Sequence, residues 1–393
     1  MQAGSAVPAR MAAAYQRPDE GISGGMVAEL GSAATPSLAG MPPGAVLVRV
    51  LVTSICGSDL AGRCCASCTA GAWRGYTDEM NPNTVARAGG TGHEVMGEVV
   101  STVEPCRRAV GERVLAFTTG YIRMVPSARA AFEAATGVSA DVMPLQGGFC
   151  QYILSFETAT VPVPSSIPHA GFDPLHYVVA QPLGTIIRAV SKLGSLWGKR
   201  VAVLGCGQNG LLMTALLSRM GARVVVALDL FPHRVAAAGK MGATHTVLVE
   251  QPGPDGVDAT LAEVGRITAG KWCDVVVDMV GHQGTTLDLC SDMAARDSTV
   301  LVFGLPPNST DDTRGRSHTD MILRYKNLTK NLTYLTSHVG GDLHPMPMFE
   351  QAMEMLRDGR FPDLSPVITH RFSYQPGTNC AALRVWRFYA VAP

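Results

Sequence analysis

An apolar strand runs straight into a glycine-spaced turn at Val201-Ala-Val-Leu204 and Gly205-Cys-Gly207-Gln-Asn-Gly210, and an apolar helical stretch follows. No other feature limits the fold as strongly. The first glycine permits a tight turn, the second lets backbone approach a ligand, and the third lets a helix pack closely on the strand. The helix N-terminus adds amide N–H groups and the positive end of its dipole, with Gln208 and Asn209 in its first turn. The combination suits the pyrophosphate of a dinucleotide; a glycine-rich turn with no ligand is the competing reading.

The flanking pattern supports the first reading. Apolar runs at Arg200–Leu204, Arg223–Asp229, Thr244–Val249, Asp274–Val280 and Thr299–Phe303 predict strands, and 208–220, 231–241 and 285–295 predict helices between them. A strand at Leu332–Thr336 and a helix at Met348–Arg357 follow. Such alternation predicts a doubly wound parallel sheet with crossover helices. Asp229 closes the second strand, 19 residues beyond Gly210. A carboxylate there can accept both ribose hydroxyls and repels a 2′-phosphate, which favours NAD, while Arg234 leaves room for NADP.

Before residue 195 the texture is different: short β-runs at Ala45–Val52, Gly97–Val103 and Arg113–Phe117, punctuated by Gly and Pro. With 393 residues the length prior is two to three domains of roughly 150 residues. Two domains fit best, the second inserted into the first if the tail returns. Lys+Arg and Asp+Glu balance at 32 each, which argues against a basic nucleic-acid binder or an electrostatic membrane binder. The apolar run Val46–Ile55 is broken by Arg49, short of the roughly 18 residues a membrane span needs. Arg10 and Arg17 are followed by Asp19-Glu20 with no apolar core, so no secretory signal is expected. The Asn308, Asn327 and Asn331 sequons then read as chance, and a reducing cytoplasm is the expected location.

Ten cysteines are too few for a disulfide scaffold in a chain of this length. Cys56 follows the first strong strand in Cys56-Gly-Ser58-Asp59, and His93 and Glu94 follow a glycine-rich stretch. Gln181 stands in Gln181-Pro-Leu183, ahead of the nucleotide region. Taken singly each is unremarkable. One thiolate, one imidazole and one carboxylate together make a mixed set suited to zinc, and three protein ligands with an open position is the arrangement of a catalytic ion.

The ordered series Cys56–Asp59, Gly92-His-Glu94, Gly111-Glu-Arg-Val114, Gly147-Gly-Phe149, Gln181–Leu183 and Gly205–Gly210 resembles the zinc-dependent medium-chain alcohol dehydrogenases, with Asp278–Gly281 and Ile368–Phe372 extending the match. The resemblance implies a GroES-like β-rich catalytic domain over 1–184, a Rossmann nucleotide domain over 185–336, and a return to the catalytic domain over 337–393. It implies Cys56 and His93 as zinc ligands, Glu94 as a ligand or a neighbour that exchanges with water, and Gln181 at the place of a third ligand. Asp59 would hold the second imidazole N–H of His93, Ser58 would pass the substrate proton outward, and Thr185 would pack against the nicotinamide. The implied reaction is hydride transfer between a small-molecule secondary alcohol, or its ketone or aldehyde, and a nicotinamide cofactor, in a homo-oligomer of two or four chains.

The chain also departs from that pattern. Residues 115–146 contain no cysteine, so one catalytic zinc and no structural zinc is expected, with a loop carrying Tyr121 and Phe132 in place of a four-cysteine lobe. Cys64, Cys65 and Cys68 could suggest a second metal, but a fourth ligand is missing and two of them are adjacent, so with Trp73 and Tyr76 they read better as a surface loop that helps shape the substrate pocket. The remaining cysteines, at 106, 150, 206, 273, 290 and 380, read as small buried hydrophobes. Two other functions stay open from sequence: a zinc-independent NADPH-dependent reductase of the same superfamily, and a catalytically silent NAD-binding protein.

Overall fold

The computed structural model describes residues 7–18, 26–56, 92–124, 126–144, 146–166, 168, 170, 172–249, 254–280, 284–304, 327–336, 346–361 and 363–371. They divide into two compact units, one within Met1–Gln181 and Gly340–Asp358, the other within Pro182–Val339 and Gly359–Arg371.

The first unit is built on an antiparallel sheet of five strands in the order β6-β3-β4-β5-β7. These are β3 (Ala45–Ser54), β4 (Glu94–Thr102), β5 (Arg113–Ala116), β6 (Tyr152–Phe156) and β7 (Thr160–Pro162). Strand geometry sends alternate side chains to opposite faces. Val46, Val48, Val95, Val99, Val114, Ala116 and Ile153 accordingly form one apolar cluster. Leu47, Met96, Leu115 and Leu154, on the other parity, are buried as well, so both faces of the sheet are covered. A hairpin of β1 (Arg10–Pro18) and β2 (Met26–Ala34) adds Met11 and Ala13 to the first cluster. This hairpin carries little signal in the sequence, because its strands are alanine-rich and lack a clear alternation.

The segment read as a loop with Tyr121 and Phe132 is helical: α1 (Thr119–Met124), α2 (Pro126–Thr136) and a 3₁₀ turn at Ala140–Val142. Alanine-rich composition favours α2, with Pro126 at its start and Gly137 (φ +68°) just past its end. Phe132 is buried edge-on against Phe156, with ring centroids 4.9 Å apart. Arg129 pairs with Glu133 at 3.0 Å and with Asp141 at 2.7 Å, and Arg123 reaches the same aspartate at 3.1 Å.

The second unit holds six parallel strands in the order β10-β9-β8-β11-β12-β13. They are β8 (Arg200–Leu204), β9 (Val224–Asp229), β10 (His245–Leu248), β11 (Cys273–Asp278), β12 (Ala294–Val302) and β13 (Thr333–Thr336). In sequence order within the sheet this is 3-2-1-4-5-6, the doubly wound arrangement whose order reverses beside β8, between β8 and β11. The central strands are buried along almost their whole length, as expected where helices cover both faces. The connecting helices include α4 (Gln208–Arg219), α5 (Pro232–Lys240), α6 (Pro254–Ile267) and α7 (Gly284–Met293). Among the described residues no helix is long and apolar enough to cross a membrane.

Candidate functional site

Two strand ends create the candidate metal centre. β3 and β4 pair antiparallel with Ser54 opposite Glu94, so the end of one strand lies beside the beginning of the other. Cys56 follows β3 by two residues and His93 immediately precedes β4. The Cys56 sulfur, a His93 ring nitrogen and a Glu94 carboxylate oxygen therefore lie within 4.8 Å of one another. Ligands on a tetrahedral zinc at bond lengths of about 2.0–2.3 Å stand roughly 3.5 Å apart, so small side-chain adjustments suffice to close the set. Glu94 is buried, while Cys56 and His93 are half-buried. A thiolate, an imidazole and a buried carboxylate fit zinc in charge and donor type.

A turn from further along the chain braces these strand ends. The Gly148 N–H donates to the Gly92 carbonyl at 2.6 Å, and the Thr53 hydroxyl donates to the Gly148 carbonyl at 2.9 Å. A Cβ on Gly148 would stand 2.2 Å from a Val95 methyl, so only glycine lets the turn sit this close. Gln146 fixes the turn from behind, donating to the Tyr152 carbonyl at 2.7 Å and accepting from the Leu154 N–H at 3.1 Å. Cys150 is buried beside it, and burial pushes its thiol up to about 12. Sequence reasoning missed Thr53, Ser54 and Gln146. The hydroxyls at 53 and 54 close an apolar strand, which is the one local hint they carry.

Gln181 is buried in the first turn of α3 (Ala180–Val190), just after a 3₁₀ segment, Pro174–Val179, that packs on β3 and β4. Thr185 lies one turn further along α3 on the same helix face and is half-buried. Ser58 and Asp59 lie outside the described residues, as do Cys64, Cys65, Cys68, Trp73, Tyr76 and Cys380. Of the other cysteines, 150, 206, 273 and 290 are buried as expected, whereas Cys106 is only half-buried.

In the second unit the glycine turn is held from several sides. Gly205 takes φ +99° and its N–H donates to the Leu228 carbonyl at 2.8 Å. A Cβ on Gly210 would stand 1.8 Å from the Gly205 carbonyl oxygen, which shows how closely α4 approaches the end of β8. Gly207 caps α4 without any side-chain bond to the first-turn amides, and Gln208 and Asn209 occupy that turn. Amides in such a place are ready donors to an anion. The buried Asp229 accepts from the Cys206 N–H at 2.7 Å and from the Phe231 N–H at 3.0 Å, tying the strand end to the turn. Arg234 stands 3.7 Å from the same carboxylate, its guanidinium 4.8 Å from the centre of the Phe231 ring. Burial, with the Asp229 charge added, pushes the Cys206 thiol up to about 12, so it is an inert spacer in the turn. The buried Asp278 accepts from the Val280 N–H at 2.9 Å and the Thr286 hydroxyl at 3.0 Å, ordering the end of the neighbouring strand β11.

Comparison with known proteins follows the same division. Residues 42–165 match the alcohol dehydrogenase GroES-like domain, and residues 210–358 match the zinc-binding dehydrogenase domain. L-threonine 3-dehydrogenase of Bacillus licheniformis is 27% identical over 333 residues, covering 83% of this chain and 84% of that protein. Sorbitol dehydrogenase of Bacillus subtilis is 26% identical over 334 residues, covering 79% and 85%. The crystal structure of galactitol-1-phosphate dehydrogenase from Escherichia coli superposes with a TM-score of 0.69 at 18% identity, covering 97% of each chain. The first match spans β3 to β7 and the second opens at Gly210 and runs through α4 and strands β9 to β13, and the chain belongs to the zinc-dependent medium-chain dehydrogenase family.

Proposed function

We propose that the protein interconverts a secondary alcohol, of polyol or amino-alcohol type, and its carbonyl form by hydride exchange with a nicotinamide dinucleotide, NAD in preference to NADP. One observation carries the reading: three donors of catalytic-zinc type converge within 4.8 Å at the paired ends of β3 and β4. Zinc in that site supplies a Lewis acid that makes a substrate hydroxyl easier to deprotonate. Cys56, His93 and Glu94 hold the ion, with Gln181 as a neutral neighbour. Asp59 orients the His93 ring through its second nitrogen. Ser58, two residues beyond Cys56, takes the hydroxyl proton from the substrate and passes it outward. Gly207 and the first turn of α4, with Gln208 and Asn209, receive the pyrophosphate. Asp229 accepts the ribose hydroxyls, Arg234 lies over the adenosine end, and Thr185 packs on the nicotinamide.

The reading assigns residues 1–184 and 337–393 to the catalytic domain and 185–336 to the nucleotide domain, in a cytoplasmic dimer or tetramer. The relatives named for threonine and sorbitol support a small hydroxylated substrate. The test is metal analysis combined with a panel of secondary alcohols, read by nicotinamide absorbance. One zinc per chain and reduction of NAD⁺ are expected, with both metal and turnover lost in Cys56→Ala. Full turnover in metal-free protein would refute the zinc role, and silence across the panel with both zinc and NAD bound would favour a non-catalytic NAD-binding protein.

A further inference from the structure

Ser54 is absent from the ligand set, yet it donates its hydroxyl to Oε2 of Glu94. The two residues are cross-strand partners, the last of β3 and the first of β4. Both ends of this hydrogen bond are therefore set by the sheet ladder. The same strand end is fixed again by the Thr53 hydroxyl on the Gly148 carbonyl. A glutamate side chain has three rotatable bonds, and left to itself it loses that freedom on ligating an ion. Ser54 removes much of the freedom beforehand. It is also a neutral donor, so it leaves the carboxylate its full charge and its remaining lone pairs.

Charge makes this consequential. The charge of a dication held there would be balanced by Cys56 and Glu94, since His93 would bind as a neutral imidazole. From this geometry we infer that Ser54 is the positioning residue for Glu94, holding its carboxylate as a standing anionic ligand of the ion. The inference rests on the zinc reading of Cys56, His93 and Glu94. A hydrogen-bonding partner behind a metal ligand is typically worth about 10- to 100-fold in metal affinity.

The test compares Ser54→Thr with Ser54→Val, which have the same shape and differ by the hydroxyl, alongside Ser54→Ala. Zinc release from each loaded protein into a chromophoric chelator is followed, and the visible spectrum of each Co²⁺-loaded protein is recorded. The alanine and valine variants are expected to release zinc about 10- to 100-fold faster and to show an altered Co²⁺ spectrum. The threonine variant is expected to behave as wild type. In a Glu94→Ala background, removing the Ser54 hydroxyl should change nothing further. Wild-type protein that binds no zinc would overturn the zinc reading and this inference with it. Wild-type protein that binds one zinc while the valine variant keeps the same release rate and spectrum would overturn the inference alone. Tighter binding in the valine variant would overturn it too, because the hydroxyl would then be holding Glu94 away from the ion.

Discussion

Alanine substitutions at Gly210 and Gly207 separate two demands that a dinucleotide turn makes on its glycines. A Cβ on Gly210 would lie 1.8 Å from the Gly205 carbonyl oxygen, where real Cβ contacts stay beyond 3.0 Å. The oxygen belongs to backbone between β8 and α4, so the first turn of α4 must retreat by roughly 1 Å, and overpacking of this kind costs about 1–3 kcal/mol. A displacement of about 1 Å in a positioning element costs on the order of 100-fold in turnover. Gly207 is the opposite case: its φ is −68° and a Cβ there would meet nothing within 4 Å. Alanine at that cap position should cost the fold about 1 kcal/mol or less, while placing a methyl group where the pyrophosphate is expected to approach. Urea unfolding and NADH fluorescence titration distinguish the two. Gly210→Ala should lower both the unfolding midpoint and the dinucleotide affinity, and Gly207→Ala chiefly the affinity. A Gly210→Ala protein with the wild-type midpoint and affinity would refute the close-packing argument. Unchanged affinity in Gly207→Ala would remove the turn from the cofactor site.

Asp229→Ala leaves the Cys206 and Phe231 N–H groups without their acceptor. A loss of about 1–3 kcal/mol in urea unfolding is expected, together with a shift of cofactor preference from NAD⁺ toward NADP⁺ in paired KM measurements, and stability equal to wild type would contradict it. The Arg200 guanidinium donates to both oxygens of Asp274 and, against the opposing effect of burial, holds its carboxyl below the usual range. A lowered folded value means that this stabilisation is complete above the unfolded value, about pH 4, and is lost as pH falls through the folded one. The stability gap between wild type and Asp274→Asn should therefore hold from about pH 7 to 5 and shrink below about pH 4, whereas a gap independent of pH would count against the pairing.

Much of the second unit was legible because its signals are local. Arg200–Leu204 is a strand with the predicted ends, and α4 begins at Gln208 as expected, since a buried parallel strand and a glycine turn both write themselves in adjacent residues. Strand β12 begins at Ala294, five residues ahead of the expected Thr299, over a stretch that includes the exposed Arg296 and Asp297. In the first unit, the signal for α2 is alanine content with a single large apolar residue, Phe132, unlike the leucine-rich α4. The candidate ligands could be picked out by residue type. Their convergence depends on the β3–β4 register, and the bracing by Thr53, Gln146 and Gly148 depends on a turn almost a hundred residues away in sequence. Neither register nor long-range contact has a local signature in one sequence.

The antiparallel pairing of β3 with β4 also decides what an incoming ion has to organise. Cys56 and His93 are 37 residues apart in the chain. Closing a flexible loop of that length costs about 3 kcal/mol in chain entropy, beyond a constant term. Here the ladder has already closed it, so the ion binds donors that the sheet has gathered and need not fold the protein around itself. The length of chain between Asp59 and Gly92 is thereby not what brings the two donors together. Doubling that length would add only about 0.6 kcal/mol to the closure cost, charged to the β3–β4 pairing. The convergence of Cys56 with His93 is accordingly a property of the β3–β4 register, insensitive to how much chain is threaded between the two strands.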